Sequence, residues 1–205
     1  MGEDGMAAMD VERCWELIES ARAAVPEDTP WDDLCDAMEE AMVDRLAALS
    51  AAEVIAYELR FGALQGAMSS DATYVAAFLI RNGCGDDAFS DFCAGMVGLG
   101  RDWYHRVLAD PDSLADHPAV HGILAGTVAV EVFGMEGFQY AASQAYERIA
   151  GEEDAFSCAY ADDLAAEIAA APAPRASSRL PRLSALFPEP RAFLERFQPH
   201  LFDER

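Results

Sequence analysis

The residue types most suited to chemistry stand together in the glycine-rich segment Gly83-Cys84-Gly85-Asp86-Asp87. The adjacent carboxylates of Asp86 and Asp87 are able to serve as a general base or to bind a cation. The same pattern is typical of a helix that ends at a glycine, a turn, and a new helix with Asp at its N-cap. A helix N-terminus lowers the pKa of nearby carboxylates, which makes them poor acids or bases near neutral pH. We therefore predict that Asp86 caps a helix.

Cys84 is a candidate reactive thiol, because a helix N-terminus also lowers the pKa of a cysteine. The carboxylates of Asp86 and Asp87 oppose that shift, and no Ser-His-Asp or Cys-His signature accompanies the thiol. We interpret Cys84 as a structural residue. The capping interpretation of Asp86 predicts that Asp86→Ala lowers stability by about 1 kcal/mol.

A second group of candidate binding residues follows Gly100, namely Arg101, Trp103 and Tyr104. A guanidinium and two aromatic rings are able to bind an anion or a cation. Arg101 is equally placed to cap the end of a helix or to pair with a carboxylate of the acidic body, and arginines commonly form such pairs. We favour the structural role.

His117 and His121 are four residues apart, a spacing that suits zinc on a helix. Pro118 places His117 at or before the helix start, however, and no third ligand has a motif. The segment Asp110-Pro111-Asp112-Ser113 predicts a turn and not a calcium loop, because the glycine at the sixth position is absent. No nucleotide-binding glycine motif occurs either. We therefore expect no metal and no cofactor.

The hydrophobic periodicity is helical nearly throughout and predicts an all-α, compact multi-helix bundle. The apolar segment Ala72 to Arg81 predicts a central buried helix that stops at Asn82-Gly83. In the following helix, Gly95 and Gly98 indicate that another backbone packs close. The recognisable helix starts are the cap Asp10, the pair Thr29-Pro30 with Thr29 as N-cap, and the capping box of Ser50 and Glu53.

Charge and cysteine content limit the classes of partner and compartment. The 205 residues include 37 Asp and Glu against 14 bases, all of them Arg, for a net charge of −23. Such a surface repels phosphate, which argues against broad binding to nucleic acid or to anionic membranes. Basic proteins, cationic ligands and metal ions are left as partners. The five widely spaced cysteines predict reduced thiols in a cytoplasmic protein. An Ala-rich chain whose bases are all Arg indicates a GC-rich gene and hence a bacterium.

The domain organisation follows from a change in composition at Ala171. Residues 1–171 predict an acidic helical domain, with a late helix carrying Phe156, Tyr160, Leu164 and Ile168. Residues 172–205 begin with Pro172-Ala173-Pro174 and predict an arm of short helices. We expect this arm to dock on the body through its Leu and Phe side chains and through Arg175, Arg179 and Arg182. It is not expected to be an independent domain.

The run Ala77 to Phe89 resembles the signature of a bacterial family known as domain of unknown function 4240. Further segments match that family in the correct order: Cys14 to Ile18, Leu46 to Phe61, Gly100 to Tyr104, Asp110 to Ala115 and Ala141 to Gly151. Together they cover roughly residues 11–151. The chain departs from the family's pattern at Met68 to Asp71, at Gly85, and in a long insertion from His117 to Gly134. The resemblance implies a soluble, mostly helical bacterial protein and no known activity.

Two hypotheses for the function remain at this point. The first is a non-catalytic interaction module whose acidic surface binds a basic protein partner. The second is a small-molecule or divalent-metal site, with enzymatic activity as one form of it, built around Asp86, Asp87, Arg101 and Tyr104. The absence of a catalytic motif favours the first. The hypotheses differ in one geometric respect, because the second requires Asp86 and Arg101 to share a cleft.

Overall fold

The structure is a computed structural model that describes residues 7–151, 156–157, 159 and 178–202. Within these ranges it contains α-helices and short 3₁₀ helices and no strand, so the predicted all-α class is confirmed. The α-helices are α1 (Val11–Ala24), α2 (Trp31–Ala47), α3 (Ala51–Met68), α4 (Asp71–Arg81), α5 (Asp86–Gly98), α6 (Arg101–Ala109), α7 (Pro118–Ala125), α8 (Glu136–Ala150), α9 (Pro181–Leu186) and α10 (Pro188–Phe197). The 3₁₀ helices are Pro111–Asp116, Val130–Phe133 and Pro199–Phe202. None of the described helices is long and apolar enough to cross a membrane.

The centre of the bundle is formed where α3, α5 and α8 pack on one another. Aromatic rings meet edge to face there, and those of Phe61 in α3 and Phe138 in α8 are 5.7 Å apart. The ring of Phe92 in α5 lies 5.9 Å from that of Phe133, which belongs to the 3₁₀ helix Val130–Phe133. Helix α2 lies along α8, and α1 packs on α2 and α3. Helix α4 is buried on most sides, as its apolar sequence predicts. It contacts both the body and the arm.

Local side-chain caps are present at the starts of α1, α3, α4 and α7. The Asp10 carboxylate accepts hydrogen bonds from the backbone of Glu12 and Arg13, and Ser50 and Glu53 form the reciprocal capping box. Both predictions are confirmed. The predicted cap at Thr29 is wrong by one residue, because Pro30 occupies the N-cap position of α2 and offers no side-chain hydrogen bond. Proline is suited to that position, because its ring fixes φ near the −56° that Pro30 adopts there.

The segment from His117 to Gly134, expected to be an insertion, contributes its two ends to the core. It forms α7 and the 3₁₀ helix Val130–Phe133, and the Phe133 backbone lies directly against Gly95 of α5. A Cβ atom at Gly95 would lie 2.8 Å from the carbonyl carbon of Phe133. The predicted close approach of another backbone is therefore confirmed at Gly95. At Gly98 the neighbour is instead the side chain of Met135.

His117 is buried at the start of α7, where it acts as the N-cap. Its Nδ1 accepts a hydrogen bond of 3.2 Å from the Ala119 backbone N–H, so this nitrogen must carry no proton. The rings of Trp103 and Phe133 lie 4.5 and 5.1 Å away. Burial first, and then the nearby cations Arg22 and Arg106, lower the pKa of His117 from 6.5 to about 4.

Acidification is therefore expected to destabilise the protein through His117. The fold favours the neutral ring, so this stabilisation is complete above pH 6.5 and is lost as the pH falls towards 4, by at most about 3 kcal/mol. Urea titrations of the wild type and of His117→Gln, from pH 8 to pH 4, measure the effect. Comparison with the variant is needed because Glu58, whose pKa burial raises to about 7, acts in the opposite direction. A stability difference that does not change with pH would contradict the assignment.

The C-terminal arm packs on α4 and on the 3₁₀ helix Pro111–Asp116. Its leucines make the apolar contact, and those that are buried are Leu180, Leu183, Leu194 and Leu201. Leu180 is buried with a positive φ of 40°, a strained conformation for a branched side chain. Of the phenylalanines expected to dock, Phe187 packs against the core and Phe193 stacks on Phe78 of α4 while staying half exposed. The prediction is wrong for Phe197, which is exposed and meets the ring of Phe193 and the guanidinium of Arg196 of the same helix. Phe193 and Phe197 lie on one face of α10, next to the buried Leu194.

The charged contact predicted for the arm is present at Arg182, whose guanidinium pairs with Asp116. Arg179 uses its carbonyl to accept hydrogen bonds from Ser184 and Arg191. Arg175 lies outside the described residues. So do Tyr160, Leu164 and Ile168 of the predicted late helix, whereas Phe156 is buried against Tyr146.

Candidate functional site

The glycine-rich segment reverses the chain between α4 and α5. Asn82 takes the left-handed conformation at the end of α4, and the N–H groups of Asn82 and Gly83 both bond to the carbonyl of Phe78. Gly83 has φ 130°, a conformation that favours glycine. Gly85 is extended and occupies the N-cap position of α5. The predicted stop at Asn82-Gly83 is confirmed.

Asp86 and Asp87 lie in the first turn of α5, one and two residues after the cap. The predicted capping role of Asp86 is wrong, because the extended residue is Gly85, which has no side chain with which to cap. Both carboxylates are exposed, and neither makes a hydrogen bond or an ion pair with a described residue. Their contribution to α5 is therefore limited to the favourable position of negative charge at a helix N-terminus.

This geometry reduces the expected cost of Asp86→Ala to about 0.5 kcal/mol, since only the interaction with the helix dipole is lost. Ser50→Ala serves as the comparison, because Ser50 accepts a hydrogen bond from the Glu53 backbone and is expected to cost about 1 kcal/mol. Chemical denaturation of the two variants measures both values. A cost for Asp86→Ala equal to or above that for Ser50→Ala would show that its carboxylate does cap the helix.

Cys84 is held as a structural part of the turn. Its carbonyl accepts a hydrogen bond of 3.2 Å from the Tyr74 hydroxyl, and its Sγ lies 3.6 Å from the Gly85 carbonyl. Burial raises the pKa of the Cys84 thiol, Arg81 opposes that shift, and the carboxylates of Asp91 and Asp86 add to it. A thiol with a raised pKa is a weak nucleophile near neutral pH.

Arg101, Trp103 and Tyr104 point in three directions. Arg101 at the start of α6 forms a two-pronged ion pair with Glu12 of α1, at 2.6 and 2.8 Å. Tyr104 is buried, donates a hydrogen bond of 2.9 Å to the Leu64 carbonyl and packs on Trp15. These two side chains tie α6 to α1 and α3, which is the structural role favoured from the sequence.

Trp103 lines an open cleft of about 420 Å³ at the start of α6. The residues around this cleft are Glu19, Arg22, Leu99, Gly100, Arg101, Asp102, Trp103 and Arg106. Its arginines already have carboxylate partners, since Arg22 pairs with Glu19 at 3.4 Å and Arg106 pairs with Asp116 at 3.6 Å. The Glu19 carboxylate also accepts the Arg101 backbone N–H at 2.7 Å. The positive charge of the cleft is thus neutralised from within the chain.

Asp86 and Arg101 do not share a cleft. They lie at opposite ends of α5, whose 13 residues are about 20 Å long. The structure therefore does not bring together the residues that a joint small-molecule or metal site would require. Among the described residues, no three His, Cys, Asp or Glu side chains are grouped in a way that would hold a metal ion.

Sequence reasoning missed the role of Asp112. The predicted turn is present, and Asp110 caps it by accepting the Asp112 N–H at 3.1 Å. The Asp112 carboxylate is buried and accepts the backbone N–H groups of Arg182 and Leu183 at 3.0 and 2.9 Å. It therefore caps α9 from a distant part of the chain. The sequence around Asp112 indicates the turn, but the helix that Asp112 caps lies about 70 residues further along the chain. No local sequence pattern therefore identifies α9 as its partner.

The described residues define a class of protein by structure, namely a compact all-α body with a short helical arm packed on it. Within that class the chain belongs to the family described as protein of unknown function (DUF4240), whose model matches residues 9–148. The resemblance inferred from the sequence motifs is thereby confirmed. No curated protein and no solved structure matches the chain.

Proposed function

We propose that the protein is a non-catalytic binding module that takes a basic segment of a partner protein at the start of α5. The observation that carries this proposal is the pair of exposed carboxylates Asp86 and Asp87, which have no partner among the described residues. The exposed carboxylates Glu12, Glu16 and Glu19 of α1 differ, because each pairs with an arginine.

The electrostatics of the whole chain support a basic partner. A net charge of −23 attracts cationic proteins at long range and repels nucleic acid and anionic lipid. Asp86 and Asp87 place two adjacent exposed carboxylates at the start of α5. Complementary charge of this kind increases association rates and selects partners, and salt weakens it.

Capture of partners from a cell lysate, followed by mass spectrometry, tests the proposal. The tagged full-length chain is expected to retain at least one basic protein at 50 mM salt and to release it at 500 mM. The double variant Asp86→Asn/Asp87→Asn is expected to lose that protein.

The matched control is Asp33→Asn/Asp36→Asn, which changes the net charge equally on the exposed face of α2. It is expected to retain the partner. If both variants lose the partner protein equally, only the total charge of the chain matters. If the Asp86→Asn/Asp87→Asn variant still retains the partner protein, the start of α5 is not the binding site.

The proposal includes a cytoplasmic, reducing setting in a bacterium. It is supported by the described cysteines Cys14, Cys35, Cys84 and Cys93, which are free thiols. It is supported further by the Arg-only, Ala-rich composition. Thermal unfolding that does not change on addition of a reductant is the expected behaviour.

A further inference from the structure

Five aromatic rings form a continuous strip that begins beside Asp86 and Asp87. The aromatic strip consists of Phe89, Tyr74, Phe78, Phe193 and Phe197 in spatial order. Successive ring centroids are 5.4, 6.3, 5.9 and 4.5 Å apart, distances typical of interacting aromatic pairs. Phe78 and Phe193 are stacked with an interplanar angle of 15°. The strip joins α5 and α4 of the body to α10 of the arm.

The strip faces solvent, increasingly so towards the arm. Phe193 and Phe197 are 52% and 58% exposed, and the other three rings are partly buried. Tyr74 and Phe78 occupy two of the few positions of α4 that are not buried. Solvation alone would favour polar residues there, and a contiguous exposed apolar surface on a single chain marks an interaction site.

We propose that the aromatic strip binds an arginine-bearing segment of the partner protein, with guanidinium groups over its exposed ring faces and ion pairs to Asp86 and Asp87 at its end. This inference rests on the proposed function and names the side chains of the partner. Charge complementarity favours this occupant, because ring faces and carboxylates both attract cations. A second copy of the chain or an anionic membrane would be repelled by a net charge of −23.

The chain itself shows that aromatic rings of the arm accept arginine. The guanidinium of Arg196 lies 5.1 Å from the ring centre of Phe197, on the strip, and that of Arg191 lies 3.7 Å from the ring centre of Phe202 in the same arm. Arginine stacks on aromatic faces more readily than lysine does, since its planar cation is weakly hydrated. The strip should therefore distinguish the two.

Three peptide probes of equal length test the inference by fluorescence anisotropy with the full-length chain. Each probe is a labelled 18-residue helical peptide of Ala and Leu with six variable positions. These six positions are all Arg in the first peptide, all Lys in the second and all Gln in the third. The wild type is expected to bind the Arg peptide about fivefold more tightly than the Lys peptide and to bind the Gln peptide weakly. Phe193→Ser/Phe197→Ser is expected to lose about tenfold in affinity for the Arg peptide, together with the Arg–Lys difference.

The control is Leu124→Ser/Tyr140→Ser, which removes two exposed apolar side chains elsewhere and should bind as the wild type does. Because Phe193 and Phe197 are exposed, folding of the test variant is expected to be intact, and circular dichroism checks it. Suppose that Phe193→Ser/Phe197→Ser binds the Arg peptide within twofold of the wild type while Asp86→Asn/Asp87→Asn binds it weakly. The aromatic strip is then not the binding surface for arginine, and the proposed function stands. If the wild type binds no peptide at low salt, both fail. A dimer in ultracentrifugation that Phe193→Ser/Phe197→Ser abolishes would overturn the inference in favour of a second copy.

Discussion

Replacing Gly95 by alanine is expected to lower the free energy of unfolding by about 4 kcal/mol. The added methyl group would lie 2.8 Å from the Phe133 carbonyl carbon and closer still to its oxygen. Both sides of this contact are backbone, so neither can move aside by changing a rotamer. The helix α5 and the 3₁₀ helix Val130–Phe133 would have to separate, which would also disturb the contact between the rings of Phe92 and Phe133.

Gly66→Ala is the matched control for Gly95→Ala. Gly66 also lies inside a helix, α3, but nothing stands within 4 Å of its missing Cβ. Alanine there is expected to raise stability by about 0.5–1 kcal/mol, because glycine loses more backbone entropy on folding. Urea denaturation of both variants gives the comparison. Equal effects of the two substitutions would mean that the Phe133 backbone does not contact α5.

The second large effect is expected for Asp112→Ala, which should release the arm at a cost of about 3–4 kcal/mol. The buried carboxylate accepts two backbone hydrogen bonds from α9, and its removal leaves the N–H groups of Arg182 and Leu183 without a partner. Hydrogen exchange followed by mass spectrometry should show loss of protection in residues 180–202. Protection in α3 and α5 should change far less, since they lie in the central core.

Asp110→Ala separates this effect from damage to the turn itself. Asp110 is two residues away and caps only its own 3₁₀ helix, so the expected cost is about 1 kcal/mol and the arm should stay protected. The interpretation of Asp112 fails if both variants expose the arm to the same extent. It also fails if Asp112→Ala leaves protection of residues 180–202 unchanged.

The elements that sequence patterns predict correctly are those whose determinants are local. The capping box at Ser50 and Glu53, the stop at Asn82-Gly83 and the buried face of α4 each depend on residues within one or two turns. The small residue at Gly95 also indicates a close neighbour, although nothing in the pattern identifies that neighbour as Phe133. Local spacing therefore predicts that a contact exists without naming the partner.

The candidate site was predicted less well, because its geometry depends on which element faces which. Arg101 and Asp86 are 15 positions apart in sequence, but a straight helix separates them in space. The phenylalanines of the arm follow an apolar pattern that resembles that of its leucines, yet Leu194 is buried and Phe193 and Phe197 are exposed. The aromatic strip draws on three helices, and its far half lies beyond the segment that matches the family.

The cap that Asp112 provides for α9 has a consequence for biosynthesis. The bond between the Leu183 N–H and the Asp112 carboxylate spans 71 residues, so closing it early would carry a large entropic cost. Chains emerge from the ribosome N-terminus first, and the body is complete before the arm follows. The left-handed Leu180 is held by burial, so it is expected to adopt that conformation only on a body already folded. A nascent chain stalled before residue 180 would therefore present the empty arm-binding surface.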